Sequence, residues 1–364
     1  MSLFKVPEPA KGVVSTMSTY GNISMRKIKY IESLQEGDRI EDIFLVKSSR
    51  LAETRAGKAY LLLDLTDKSG EIGGPVWDNA EEIAEICRTG CFIRLKGQVQ
   101  SYRDKLQLRI EDVAAVAKED ISLTDFVPAT NLDLEEMSRQ IQKTVASVDN
   151  SWVRKLLNRF FKKGDIWEKF QTAPAAKGIH HAYAGGLMEH CLSMAKVANM
   201  LAAHYPGVDR SILLAGVLLH DIGKIMELKE QVGLVDYTSP GRLKGHLVMG
   251  SEMVAQEAAK INDFPEELLL QIQHLILSHH GRLEFGSPAV PMTPEAFVLS
   301  FIDDLDSKMN LIEQLRRKRK DKGVQWTEYQ RSLERFLFLG PLDDQEAGQE
   351  KNDAVQQHIQ KTLF

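Results

Sequence analysis

The chain has 364 residues, with 46 Lys and Arg against 51 Asp and Glu, a formal charge of −5 at pH 7. That length predicts two or more domains, and 43% hydrophobic with 27% charged residues excludes bulk disorder and leaves enough apolar side chains for a core in each. The mildly acidic balance excludes a uniformly basic nucleic-acid coat but not a local basic face.

In chain order, residues 1–22 carry Pro, Gly, Ser and Thr without periodicity and are expected to be a flexible leader, with Met17 and Met25 as later candidate starts. No apolar run reaches the length of a signal or membrane-spanning segment. Three cysteines, Cys87, Cys91 and Cys191, are too few for a disulfide framework; they are read as buried small hydrophobes of a cytoplasmic protein. Residues 23–118 hold short β-type runs: RIEDIFLVKSS, AYLLLDLTD, EIGGPVWD, GCFIRLKGQVQSY and DKLQLRIEDVAAV. Turn signals separate them, and a helical NAEEIAEICRTG lies between the third and fourth. Five strands with one helix after the third is the order of an OB-type barrel.

Alternation in the last two strands assigns faces. Ile93, Leu95, Gly97 and Val99 point inward with Leu106, Leu108 and Ile110, which leaves Arg94, Lys96, Lys105 and Arg109 outside. With Arg103 in the turn and Lys58 after the first strand, these form a basic face. Tyr60, Trp77 and Tyr102 are candidate stacking residues, since OB barrels hold single strands by a charged groove plus aromatic platforms. The alternative is that Tyr60 and Trp77 fill the barrel interior.

Residues 119–135 read as a polar connector around Pro128, residues 136–340 as helical in period with breaks at prolines, and residues 341–364 as a polar, flexible tail. The charged helix in 306–323 has a composition that suits either joining protomers in a homo-oligomer or extending a nucleic-acid surface.

Nine of the ten histidines fall between residues 180 and 280, and this clustering points to a metal site rather than to scattered core histidines. His190 shares a helical face with Leu187, Met194 and Ala198, and His220 follows Leu213 and Val217, so both point inward. Asp221, beside His220, adds an anion able to bridge two cations. His246 opens a helix, His279 and His280 close another, and Asp303-Asp304 interrupt a third. Spacing leaves open which of those two acids faces the site: Asp304 shares a stripe with Phe297 and Phe301, Asp303 one with Leu299 and Ser300. There is no GxxxxGK[ST] loop and no GxSxG elbow.

The ordered set His190, His220-Asp221 within LLHDIGK, and a distant Asp303 resembles the HD superfamily of metal-dependent phosphohydrolases. With an OB-type domain in front and IHHAYAGGLMEHCLSMA, LSHHGRLEFGSP and FIDDLDSKM in order, the chain is similar to the bacterial YhaM-type 3′–5′ exoribonucleases over residues 25–320. The resemblance implies a multidomain fold, an N-terminal all-β OB barrel plus a C-terminal all-α HD domain. It implies that His190, His220, Asp221 and Asp303 hold one divalent ion, that Asp221 bridges, and that His246, His279 and His280 hold a second, with Lys224 meeting the substrate phosphate. Asp303-Asp304 stands where the family often has Asp-Asn. Such mixed His and carboxylate ligands suit Mn²⁺, Co²⁺, Fe²⁺ or Mg²⁺ better than structural zinc, with Mn²⁺ favoured by the resemblance. The implied substrate is single-stranded RNA, with single-stranded DNA as a second, cut by a two-metal-activated water to nucleoside monophosphates. Two other readings remain: a phosphohydrolase of small nucleotides with a regulatory OB domain, and a non-enzymatic single-strand binder.

Overall fold

The computed structural model describes residues 26–340 apart from 104, 131, 178–180, 232–233 and 319–324. The expected leader and tail, Met17 and Met25, His180 and the basic pair Arg319-Lys320 lie outside the described residues. The chain divides into two compact units between Val127 and Pro128.

The first unit is a five-stranded antiparallel sheet of β1 (Arg39–Glu53), β2 (Ala59–Asp67), β3 (Gly70–Val76), β4 (Phe92–Tyr102) and β5 (Lys105–Val116), in the order β3-β2-β1-β4-β5. Helix α1 (Ala80–Ile86) joins β3 to β4. The long β1 pairs with β4 through its first half and β2 through its second, with a bulge between Val46 and Ser48 that lets it turn the corner. The interior is Phe44, Leu61, Leu63, Leu65, Ile93, Leu95, Val99 and Leu108, all nearly inaccessible. Ile93, Leu95 and Val99 therefore point inward as the alternation predicts. Leu106 does not: near the start of β5 it is 38% exposed. Cys87 and Cys191 are buried as expected, whereas Cys91 is exposed in the turn before β4.

The barrel closes where β3 meets β5. A Cβ at Gly74 would overlap the carbonyl oxygen of Leu108, so only glycine permits this approach. Gly74→Ala is expected to destabilise the protein by about 3 kcal/mol or more, since a backbone carbonyl cannot rotate away as a side chain can. Urea denaturation followed by circular dichroism checks this against Gly207→Ala, where a Cβ meets nothing within 4 Å.

Within the segment expected as a polar connector, some side chains pack against the first unit. Phe126 is fully buried and packs edge-on against Phe92 with centroids 4.9 Å apart, and Asp125 accepts from the Tyr30 hydroxyl at 2.6 Å. One phenylalanine in a polar stretch is too weak a signal for periodicity to register.

The second unit is helical: α2 (Leu134–Ala146), α3 (Ser151–Phe161), α4 (Asp165–Thr172), α5 (Gly186–His204), α6 (Arg210–Leu219), α7 (Lys224–Glu227), α8 (Ser239–Ala258), α9 (Glu266–Ser278) and α10 (Pro294–Lys318). Helix α6 is apolar almost throughout and buried from Leu213 to Leu219; Asp209 caps its start by accepting from the Ile212 amide at 3.0 Å. Around it pack α5, α9 and α10, through Leu187, Met194, Ile272, Leu275, Ile276 and Leu299. Two departures from a purely helical reading occur. A short hairpin, β6 (Leu228–Gln231) with β7 (Leu234–Tyr237), follows α7, and residues 325–340 form bridged turns in which Trp326 meets Phe338. Among the described residues no helix is long and apolar enough to cross a membrane.

Candidate metal centre and nucleic-acid interface

Five elements of the second unit bring their polar residues to one point. His190 comes from the first half of α5, His220 caps α6, and Asp221 follows in the turn before α7. His246 stands just past Gly245, whose φ of 73° breaks α8 into two helical stretches, and His279-His280 end α9. Asp303 comes from the middle of α10. Gly223 is needed for this convergence: a Cβ there would overlap the carbonyl oxygen of His246, so α8 could not lie against the turn that carries Asp221.

In every one of the five histidines Nδ1 faces an acceptor. His220 donates to the Val217 carbonyl at 2.9 Å, His279 to Ile276 at 2.8 Å and His280 to Phe285 at 2.9 Å. The carboxylate of Asp306 takes His190 Nδ1 at 2.7 Å, and that of Glu227 takes His246 Nδ1 at 3.1 Å. A carbonyl can only accept, so in His220, His279 and His280 Nδ1 carries the hydrogen and a neutral ring keeps its Nε2 lone pair for the centre of the cluster. This is how histidine ligands are oriented in metal sites.

The Nε2 atoms fall into two neighbouring groups. Those of His190 and His220 are 3.3 Å apart, with Asp303 Oδ1 at 3.2 Å from the first and Asp221 Oδ2 at 3.3 Å from the second. On the other side Asp221 Oδ1 is 3.4 Å from His246 Nε2 and 3.7 Å from His279 Nε2, and His246, His279 and His280 can each offer a nitrogen to one ion. Asp221 thus turns one oxygen to each group. Asp221 Oδ1 and His246 Nε2 are buried without a hydrogen-bond partner among the described residues. Orphaned acceptors of this kind are costly unless a cation meets them, so the donor set fits divalent ions.

Charge balance follows from the same contacts. Burial would push the Asp221 carboxyl up, but Lys224, its Nζ 2.6 Å from Oδ2, and His220 outweigh that and hold it well below the usual range. Lys224 is therefore engaged with Asp221. Burial, helped by His220, keeps the His279 imidazole well below its ordinary value, and burial and His246 lower His280, so both rings are neutral at pH 7. His190 differs: burial lowers it, but hydrogen bonds to Asp303 and Asp306 prevail and raise it to about 9.

His190 is thus protonated at pH 7 in the metal-free protein, and an ion must displace that proton. Metal affinity is expected to rise with pH by up to about tenfold per unit and to level off above about pH 9. Titration calorimetry in two buffers of different ionisation enthalpy should register the released proton. The raised value also means that the pair stabilises the metal-free fold fully below about pH 6.5 and less and less up to about pH 9.

Of the two adjacent acids, Asp303 faces the cluster and Asp304 lies on the exposed side, bound to Lys308 at 2.5 Å. The stripe that Asp304 shares, Phe297 and Phe301, is 52% and 71% exposed; the buried stripe of α10 is Ala296, Leu299 and Ile302. His204 and His274 lie elsewhere, the latter accepting from the Met292 amide.

Sequence reasoning missed Asp306, His181, Ser193 and Glu227. Asp306 receives His190, His181 Nε2 at 3.2 Å and the Ser193 hydroxyl, while His181 Nδ1 meets the Tyr183 hydroxyl at 2.9 Å. The three-residue spacing of Asp303 and Asp306 on one helix face is a signal that could have found the first. Nothing in the local sequence marks Glu227.

In the first unit Tyr60 and Trp77 stand on adjacent strand ends with rings stacked at 5.0 Å and 25°. Their strand neighbours Leu61 and Val76 point inward, so the two rings lie on the outer wall and do not fill the barrel; Trp77 is 46% exposed. Round the barrel β3 leads to β5, whose Lys105 and Arg109 are exposed. Arg103 lies over the exposed ring of Tyr102 at 5.2 Å. Arg94 and Lys96, one strand further, share Glu41 at 2.5 and 3.5 Å, and Lys58 pairs with Asp78 at 3.0 Å. These exposed pairs are weak and screened, so they do not prevent a phosphate from competing.

A histidine and carboxylate centre on a helical unit, preceded by an OB barrel, defines a hydrolase of the HD class joined to a nucleic-acid-binding domain. Residues 187–308 match the family model of the HD domain, and residues 45–116 that of an OB-fold nucleic acid binding domain. The chain is 33% identical over 315 residues to the 3′-5′ exoribonuclease YhaM of Geobacillus sp. (strain WCH70), covering 86% of this chain and 95% of that protein. With its namesake in Bacillus subtilis (strain 168) it shares 34% identity over 308 residues, 84% of this chain and 96% of the other. Among solved structures, the second OB-fold domain of replication protein A from Methanococcus maripaludis is 19% identical over 26% of this chain and 97% of its own, with a TM-score of 0.21. The chain belongs to the YhaM family of 3′-5′ exoribonucleases.

Proposed function

We propose that the protein is a divalent-metal-dependent 3′–5′ exoribonuclease that releases nucleoside monophosphates from single-stranded RNA, and from single-stranded DNA as a second substrate. The observation that carries the metal reading is the gathering of five imidazoles, each with its Nδ1 engaged, of which His220, His246 and His279 bring Nε2 to within 3.7 Å of the Asp221 oxygens. His190, His220, Asp221 and Asp303 would hold one ion, and Asp221, His246, His279 and His280 another, with Mn²⁺ the first choice. Bound divalent ions supply acidified water and offset the charge that builds on the phosphorus oxygens.

The chain's own groups do the rest. Lys224 keeps Asp221 ionised and, at 12% side-chain exposure, remains within reach of an incoming phosphate. Glu227 and Asp306 fix the planes of His246 and His190. In the OB domain, taken as residues 23–118, the Tyr60–Trp77 pair would stack bases while Lys58, Arg94, Lys96, Arg103, Lys105 and Arg109 attract phosphates. We place the protein in the cytoplasm, in keeping with its three free cysteines.

The test is a 5′-labelled single-stranded RNA incubated with the protein and Mn²⁺. A ladder that shortens from the 3′ end supports the reading. Equal cutting of a circular strand would sink the exonuclease assignment, and an intact RNA beside hydrolysed mononucleotides would favour a small-nucleotide phosphohydrolase.

A further inference from the structure

The loop that follows the last histidine pair presents an aromatic ring and a cation beside the metal centre. Gly281, at φ 78°, turns the chain out of α9, and the one-turn helix Leu283–Phe285 returns it so that the Phe285 carbonyl accepts from His280 Nδ1 at 2.9 Å. Only the width of one imidazole separates that carbonyl from the nitrogen turned toward the ions. The Phe285 ring itself is 62% exposed. The exposed Arg282 guanidinium lies over it, 5.8 Å from its centroid, and forms no ion pair with a described residue.

We infer that Phe285, with Arg282, is the platform for the 3′-terminal nucleotide: the ring takes its base and the guanidinium its phosphate charge. This rests on the exoribonuclease reading. A base stacked on that ring, in the loop whose backbone bonds His280, would bring its own phosphodiester toward the centre, whatever the base, because every base has a face to stack. The hydrogen bond from His280 sets the platform's position, so a ligand histidine and the substrate's end share one loop.

Two measurements test this. In steady-state kinetics on single-stranded RNA, Phe285→Ala is expected to raise KM about tenfold or more with metal content unchanged, and Phe285→Trp to restore it. The wild type is expected to lose a similar factor on an RNA ending in an abasic nucleotide, while Phe285→Ala does not distinguish the two ends. Separately, adenosine 5′-monophosphate should bind the Mn²⁺-loaded wild type about tenfold more tightly than ribose 5-phosphate, a preference absent in Phe285→Ala. RNA trimmed without regard to the terminal base overturns the platform and leaves the exoribonuclease standing. Uncut RNA with a Phe285-dependent preference for the nucleotide leaves the platform and removes the exoribonuclease. Loss of metal or a changed sedimentation coefficient in Phe285→Ala would show a structural or interface role and overturn the platform.

Discussion

Asp221→Ala is expected to lower RNA turnover by at least about a thousandfold, about 4 kcal/mol of barrier. The side chain turns an oxygen to each histidine group, Oδ2 toward His220 and Oδ1 toward His246 and His279. Its loss leaves the buried Lys224 without the carboxylate it meets at 2.6 Å, so an unbalanced positive charge stands where both candidate ion sites need a negative one. Metal content by mass spectrometry should fall from the proposed two ions per chain to less than one. Circular dichroism should change little, because α6 is held by its apolar contacts and not by its terminal carboxylate. His246→Ala, which removes one nitrogen from one group, is expected to cost less than Asp221→Ala. Wild-type turnover in Asp221→Ala would show that the centre has been placed wrongly.

The second large effect is expected at Asp306, which is outside both proposed ligand sets yet sets the orientation of His190. Its carboxylate takes hydrogen bonds from His190, His181 and Ser193, and those contacts hold it far below the usual carboxylate range against the opposing effect of burial. Asp306→Ala frees the His190 ring to rotate and removes one of the two anions that keep it charged in the metal-free state. Outer partners of this kind are worth about 10–100-fold in metal affinity. Titration calorimetry with Mn²⁺ should show that loss, and the number of protons released on binding at pH 7 should fall, because the His190 value drops when one anion is gone. A purely structural role would lower the melting temperature without altering proton release. Asp306→Asn, which keeps the acceptor oxygen but not the charge, is expected to fall between the two.

The order of the chemistry was legible in the chain. Helical period sets His190 and His220 inward, because an apolar stripe of 3.6-residue spacing can only be buried on one side, and α6 is so apolar that its end must be interior. Alternation likewise assigned Arg94 and Lys96 to the outside of β4 and Ile93 and Leu95 to the core. Ordered motifs from LLHDIGK to FIDDLDSKM carried the resemblance to the family. The hairpin β6–β7 and the bridged turns after residue 325 were not legible, since four-residue strands leave no alternation long enough to separate from a helix end.

Position relative to other helices was decided only by the tertiary structure. Period alone leaves Asp303 and Asp304 equivalent; the packing of Leu299 and Ile302 against the α6 core turns Asp303 in and leaves Asp304 to Lys308. The same packing exposes Phe297 and Phe301, which sequence pattern would bury. Asp306 and Glu227 gained their roles from residues 116 and 19 positions away, distances over which no local pattern operates. The sequence by itself determined which residue types meet, because burying a histidine or an aspartate on an apolar helix demands a partner. Which partner, and which nitrogen of each imidazole is free, depends on the carbonyls and carboxylates that the neighbouring elements bring within hydrogen-bond reach.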